Sequence, residues 1–124
     1  MAKELHEART KDLGCDQFTN YIAELMVIER ECQHTIAHLH EWVKPESVDT
    51  PFLAGPGRSS VVKEPLGVIA ILGSWNFPFL TVLCPMISAI AAGNACLVKP
   101  SEISPFSSTK LKQLIARNLD RESI

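Results

Sequence analysis

The chain has 124 residues, of which 46% are hydrophobic and 21% charged, and its formal net charge is −2. This length fits one small domain, and the composition is that of an ordinary globular protein. The charge balance excludes the basic excess with which proteins bind nucleic acid or anionic lipid. The composition therefore predicts a globular domain with no nucleic-acid partner.

Residues 1–44 are predicted to form N-terminal helices. A short helix covers Ala2 to Lys11, and Asp16 is the candidate N-cap of a longer one. Pro45 ends the longer helix, because the residue before a proline disfavours helical backbone. Apolar residues recur there in steps of three and four, which predicts one buried face: Phe18, Ile22, Leu25, Ile28, Cys32, Ile36, Leu39 and Val43.

Residues 45–64 are predicted to be an irregular connector with one short strand, because prolines and glycines punctuate them. Val61 and Val62 are the candidates for that strand.

Residues 65–124 follow the order strand, helix, strand, helix. Gly67 to Leu72 and Ala95 to Lys99 are the strands, both predicted to be buried on both faces, as in parallel sheets. Phe79 to Ala92 is the first helix, and the second begins near Pro105 with Ser104 as its candidate N-cap. The fold class is therefore α/β: N-terminal helices followed by the first βαβα of a Rossmann-like parallel sheet, in an incomplete domain.

A membrane hairpin is the alternative for part of this segment. Residues 65–98 contain no charged residue and no histidine, and this run of 34 exceeds the ~20 residues that span a bilayer. Glycines and prolines, among them Pro78 and Pro85, divide the run into pieces of strand and helix length. The interpretation without a membrane is therefore preferred.

Cysteines and histidines give no metal signal. His34 and His38 are four apart but lack the carboxylate of an HExxH motif, which favours a solvated helix face. The first 14 residues lack the apolar core of a secretory signal. Free thiols in a chain without that signal predict a cytoplasmic location. No CxxC pair or common zinc spacing occurs among Cys15, Cys32, Cys84 and Cys96.

Polar side chains follow both predicted strands, at the sheet edge where α/β proteins bind ligands. Asn76 could donate a hydrogen bond to a developing oxyanion. Lys99 and Glu102 suit a nucleotide, because a carboxylate can accept hydrogen bonds from ribose hydroxyls. The alternative for Asn76 is a turn residue bonded to its own backbone. The alternative for Lys99 and Glu102 is a solvated loop with a helix cap.

The stretch EPLGVIAILGSWNFPF, followed by PMISAIAAGNACLVKPSE, closely resembles the aldehyde dehydrogenase superfamily. Ser74 before Trp75, together with EPLGV and HEWVKPESVDTPFL, is similar to the class 3, fatty-aldehyde-type branch. The resemblance runs from about Thr10 to Asn118. It identifies the chain as an N-terminal fragment of such an enzyme, with residues 65–124 starting the NAD(P)-binding domain.

The resemblance implies a role for each matching residue. Asn76 matches the asparagine of the oxyanion hole. Ser74 and Trp75 match positions that line the nicotinamide side of the cofactor channel. Lys99 and Glu102 match the pair that holds the adenosine ribose of NAD or NADP. The implied reaction oxidises an aldehyde to a carboxylic acid.

In the family, the nucleophilic cysteine and the general-base glutamate lie downstream of the position that corresponds to Ile124. None of the four cysteines stands at the nucleophile's position. The resemblance therefore predicts that this chain alone is inactive. The alternative is a noncatalytic fragment that docks on full-length subunits, since family members form dimers or tetramers. The aldehyde and the choice between NAD and NADP are left open.

Overall fold

The N-terminal part of the molecule is helical. A computed structural model describes residues 2–120, which begin with α1 (Ala2–Leu13), α2 (Gln17–Asn20), a π-helical turn (Tyr21–Leu25) and α3 (Met26–Trp42). Asp16 caps α2 as predicted: its Oδ1 accepts hydrogen bonds from the backbone N–H of Phe18 at 2.9 Å and of Thr19 at 3.0 Å.

The prediction of one continuous apolar face on the long helix is wrong. Leu25 and Ile28 pack against the core, but Phe18 and Ile36 are 72% and 71% exposed. The wider π-helical turn rotates residues that precede it, such as Phe18, relative to residues that follow it, such as Ile28. The fully buried side chains of this region are polar: Asn20, Glu24 and Thr35.

The connector holds two short strands rather than one. β1 (Glu46–Val48) pairs antiparallel with β2 (Ser59–Val61), and a 3-10 turn (Phe52–Ala54) lies between them.

A parallel two-stranded sheet forms the C-terminal half. β3 (Val68–Leu72) pairs with β4 (Ala95–Lys99), α4 (Leu80–Ala91) connects them, and α5 (Pro105–Asn118) follows. The predicted strand-helix-strand-helix order and the parallel pairing are confirmed. A positive φ of 81° at Gly93 ends α4, a conformation that favours glycine.

The core lies where α4 packs on the inner face of this sheet, with α1 against α5 and α3 against α4. Its buried apolar residues are Leu5, Ala8, Ile71, Phe79, Val82, Leu83, Met86, Ala89, Cys96 and Leu111.

The strands are not buried on both faces, which corrects the prediction. Alternate side chains of a strand point to opposite faces, and residues 2–120 cover one face more fully than the other. Ile71 is 3% exposed, whereas Val68, Leu72 and Leu97 are 70%, 75% and 67% exposed. Among the described residues, no helix is long and apolar enough to cross a membrane; α4 has 12 residues.

Candidate functional site

Two turns leave the sheet at the same edge. Leu72 at the end of β3 pairs with Lys99 at the end of β4, and the N–H of Gly73 donates to the carbonyl of Lys99 at 2.9 Å. A Cβ on Gly73 would collide with the Val82 side chain of α4, so glycine allows this close passage. The turn after β3, Gly73 to Phe79, therefore lies beside the segment Lys99 to Glu102.

Asn76 is exposed on the turn after β3, with its amide held by a neighbouring side chain. The Oγ of Ser74 donates to Asn76 Oδ1 at 2.7 Å. Within residues 2–120, Nδ2 of Asn76 has no hydrogen-bond partner, so this donor is available to a ligand. The hydrogen bond to Ser74 joins two side chains, unlike the backbone bond of the alternative interpretation. Trp75, on the same turn, is 49% exposed.

Thr81, in the first turn of α4, ties the turn after β3 to the helix. Its Oγ1 accepts from the N–H of Ser74 at 3.0 Å and donates to the carbonyl of Phe77 at 2.9 Å. The sequence interpretation missed this residue. A threonine hydroxyl bonded to the carbonyl four residues earlier is a common local pattern, but its second bond depends on the fold of the turn.

Lys99 and Glu102 form an exposed ion pair. Nζ and Oε2 are 2.7 Å apart, and the hydrogen bond from Lys99 lowers the pKa of the Glu102 carboxyl from its ordinary value. Glu102 is therefore ionised at neutral pH and can accept hydrogen bonds from hydroxyl groups.

Asp12 of α1, rather than Glu102 or Ser104, supplies the side-chain cap of α5. Ser104 occupies the N-cap position, but its side chain makes no capping bond. The backbone N–H groups of Phe106 and Ser107 donate instead to the carboxylate of Asp12, at 3.2 Å and 2.7 Å.

A buried carboxylate caps α4 in the same manner. Glu24 is 0% exposed, and its Oε2 accepts from the N–H of Phe79 at 2.8 Å and of Leu80 at 2.7 Å. The Nε of Arg9 lies 2.5 Å from Glu24 Oε1, close as an ion pair but without the N–H direction of a hydrogen bond. Burial raises the pKa of Glu24, opposed by the Leu80 amide, by the charge of Arg9 and by the Phe79 amide.

The sequence interpretation also missed Glu24, Arg9 and Asp12. The available signal was indirect. The N-cap position of α4 is Phe79, which has no side chain that can accept a hydrogen bond, so the first N–H groups of α4 need acceptors from elsewhere. Sequence alone does not say which acidic residue supplies them.

The occupied helix ends restrict how a dinucleotide could bind. A helix N-terminus is a ready site for phosphate, but carboxylates already take these amides in α4 and α5. The exposed Lys99–Glu102 pair offers hydrogen-bonding groups of both kinds to a hydroxylated ligand, whereas the capped ends of α4 and α5 have no free amides for a pyrophosphate at the positions that the carboxylates occupy.

The cysteines and histidines of the described residues form no reactive or metal-binding group. All four cysteines are free. Burial raises the pKa of Cys96, and burial with the charge of Glu31 raises that of Cys84, so neither thiol is an activated thiolate. His38 stacks on Trp42 with ring centroids 5.8 Å apart. Within residues 2–120, no group of three or more His, Cys, Asp or Glu could hold a metal ion.

Comparison with known proteins extends over nearly the whole chain. The model of the family described as "Aldehyde dehydrogenase family" matches residues 1–122. The chain therefore belongs to the aldehyde dehydrogenase family. It is 40% identical over 122 residues to Aldehyde dehydrogenase family 3 member I1, chloroplastic, of Arabidopsis thaliana, covering 98% of this chain and 22% of that protein. This relative and two others of 35–36% identity are named as members of aldehyde dehydrogenase family 3.

A further aldehyde dehydrogenase sequence and a solved structure are also similar to this chain. The dog protein named "Aldehyde dehydrogenase, dimeric NADP-preferring" is 38% identical over 120 residues, covering 97% of this chain and 26% of that one. The solved structure of Staphylococcus aureus AldH in a substrate-bound state superimposes with a TM-score of 0.94 at 35% identity, covering 98% of this chain and 27% of that one. The chain spans about a quarter of the length of these relatives.

Proposed function

We propose that residues 1–124 supply the N-terminal part of a class 3 aldehyde dehydrogenase, which oxidises an aldehyde to a carboxylic acid with NAD or NADP. One observation carries the proposal. Asn76, with an unengaged amide donor, lies at the same sheet edge as the Lys99–Glu102 pair. The catalytic cysteine and the general-base glutamate would come from the rest of the enzyme, and the chain alone would be inactive.

Asn76 is proposed to bind the oxygen of the aldehyde as that oxygen becomes negatively charged. The hydrogen bond from Ser74 to Oδ1 favours an orientation in which Nδ2 is the free donor. A donor oriented before the reaction stabilises the developing charge without reorganising, which is the basis of oxyanion-hole catalysis.

Lys99 and Glu102 are proposed to hold the adenosine ribose. The carboxylate of Glu102 would accept from the ribose hydroxyls, and the Lys99 ammonium would donate to them. When bound, the nicotinamide ring accepts hydride. Ser74 and Trp75 are proposed to line the channel on that side. The negative charge of Glu102 disfavours a 2′-phosphate, yet a relative is named NADP-preferring, so both cofactors belong in the proposal.

We expect the substitution Glu102→Gln in the complete enzyme to weaken cofactor binding. Loss of the carboxylate removes the stronger, charge-assisted acceptor, so the Kd for NAD should rise several-fold while kcat at saturating cofactor is nearly unchanged. Isothermal titration calorimetry and steady-state rates measure the two quantities. Glu46→Gln is the matched control, because Glu46 forms a similar exposed pair with Lys63 at 2.5 Å. An unchanged Kd would remove Glu102 from the cofactor site.

The exposed strand residues favour association with another polypeptide, either the rest of the enzyme or a full-length subunit. Val68, Leu72 and Leu97 are apolar and mostly exposed, and apolar patches of this kind mark interaction surfaces. Docking on full-length subunits as a noncatalytic fragment is therefore the second candidate function. A homo-oligomer is the proposed assembly of the complete enzyme, and a cytoplasmic location is proposed in either case.

The intact mass of the protein from its own cells is the first measurement for this proposal. A species several-fold heavier than 13.7 kDa that oxidises aldehydes would support the enzyme. A species of 13.7 kDa that co-purifies with full-length subunits would support the second candidate. We expect the purified 124-residue chain to show no turnover and to associate. Turnover by that chain, or a sharp reversible melt of a monomer, would contradict this expectation.

A further inference from the structure

A chain of contacts leads from the N-terminal helices to Asn76. It begins with Arg9 on α1, which is 3% exposed and whose guanidinium lies 5.7 Å from the centre of the Phe77 ring. Arg9 also donates through its terminal nitrogen to Asn20 Oδ1 at 2.5 Å, and its Nε pairs with Glu24. The arginine is therefore fixed on two sides by buried side chains and contacts the turn after β3 directly.

Glu24 connects Arg9 to the start of α4 by hydrogen bonds. Both backbone N–H groups that its carboxylate accepts, those of Phe79 and Leu80, belong to the start of that helix. Phe79 itself is 1% exposed, so its backbone is held by packing as well. Glu24 lies in the π-helical turn, and such single turns within α-helices occur frequently at functional sites.

The start of α4 is connected to Asn76 through Thr81 and Ser74. Thr81, the residue after Leu80, accepts from the N–H of Ser74, and Ser74 in turn donates to Asn76. Each step is a hydrogen bond or ion pair between side chains or backbone groups 2.5–3.0 Å apart. Asn76 is thus connected to a buried ion pair although it is itself exposed.

From this chain of contacts we propose that Glu24, held by Arg9, is a positioning residue for the amide of Asn76. The carboxylate fixes the first turn of α4, and that turn fixes where the Asn76 donor lies relative to the reacting carbonyl. The inference rests on the proposed function, because it gives Glu24 a role only if Asn76 stabilises an oxyanion.

A double-mutant cycle in the complete enzyme tests the inference. Glu24→Gln keeps the side-chain size but removes the charge that binds two amides and Arg9. We expect kcat for aldehyde oxidation to fall about 10–100-fold, the order of loss caused by misplacing a reacting group by about 1 Å. In the Asn76→Ala background the same substitution should change kcat less than about twofold, because the group that it positions is gone.

The cycle separates positioning from stability. If Glu24 only stabilises the fold, Glu24→Gln lowers kcat by the same factor with and without Asn76, and the inference is overturned. An unchanged kcat in the otherwise unsubstituted enzyme overturns it too. Thr81→Val removes a later contact of the chain without touching the buried charge. It should show the same non-additivity with Asn76→Ala, and it decides the question if Glu24→Gln fails to fold.

The same experiment distinguishes failure of the proposed function. If the unsubstituted complete enzyme oxidises no aldehyde, the proposed function fails and the positioning role fails with it. If that enzyme is active and the cycle is additive, only the positioning role fails. Glu46→Gln is the control for loss of a carboxylate in an ion pair, and it should leave kcat unchanged in both backgrounds.

Discussion

Replacing Asn76 with alanine in the complete enzyme is expected to lower kcat by about 10²–10³-fold, the usual cost of one lost oxyanion donor. The physical reason is that Nδ2 has no hydrogen-bond partner among residues 2–120 and that Ser74 orients the amide, so Nδ2 is available when charge develops on the substrate oxygen. Steady-state kinetics with a saturating cofactor measure the loss. The Kd for the cofactor should stay unchanged, because the proposed ribose contacts are made by Lys99 and Glu102.

Asn118→Ala is the matched control for that substitution. Asn118 is also exposed, and its side chain donates to the carbonyl of Leu114 one helical turn earlier. Its removal should leave kcat as it was. If Asn76→Ala retains full kcat, Asn76 has no part in catalysis and the proposed active site is wrong.

Replacing Arg9 with methionine is expected to destabilise the protein by about 3–5 kcal/mol, because it leaves the buried carboxylate of Glu24 without its counter-charge. Folded domains are typically stable by about 5–15 kcal/mol, so a loss of this order is a large fraction of the total. Urea denaturation of the complete enzyme, followed by circular dichroism, measures the loss as a lower midpoint concentration of urea. The double substitution Arg9→Met with Glu24→Gln should recover part of the loss, since it removes both charges and keeps an oxygen that accepts from the Phe79 and Leu80 amides.

The cost of Arg9→Met should depend on pH through Glu24. Burial already raises the pKa of Glu24 above its ordinary value of 4.5, and loss of Arg9 removes an opposing charge, which raises it further. When the pKa of a carboxyl is raised in the folded state, the protein loses stability as pH rises above 4.5. The reason is that the carboxyl gives up its proton more readily in the unfolded chain. The destabilisation should therefore be largest at neutral pH and shrink as pH falls toward 4.5. A cost independent of pH would show that Glu24 is not the group responsible.

The C-terminal βαβα unit could be predicted from the sequence because each of its signals is local. Continuous apolar runs mark β3 and β4, and Gly93 marks the end of α4 through its positive φ. Once two parallel strands were placed, the strand-end rule put the turn that carries Asn76 at the same sheet edge as Lys99 and Glu102. The chemical roles of those residues did not follow from pattern, and they came from the family resemblance.

The N-terminal helices were harder to predict because their packing depends on contacts distant in sequence. The face drawn from the spacing of Phe18 and Ile36 assumed a continuous α-helix, and the π-helical turn breaks that assumption. Glutamate is usually exposed on helices, yet Glu24 is buried because the start of α4 supplies two unpaired amides and α1 supplies Arg9. No window of sequence around Glu24 contains that information.

The two borrowed helix caps also bear on the order in which the chain folds. Glu24 lies 55 residues before Phe79, and Asp12 lies 94 residues before Phe106, so neither α4 nor α5 can complete its first turn from neighbouring residues. Closing such long loops is slow, because the chain loses entropy before the hydrogen bonds of the cap stabilise the helix. During synthesis, however, the N-terminal helices leave the ribosome first. Both carboxylates are then already present when the helices that need them emerge, so a chain made from the amino end meets each cap in the right order.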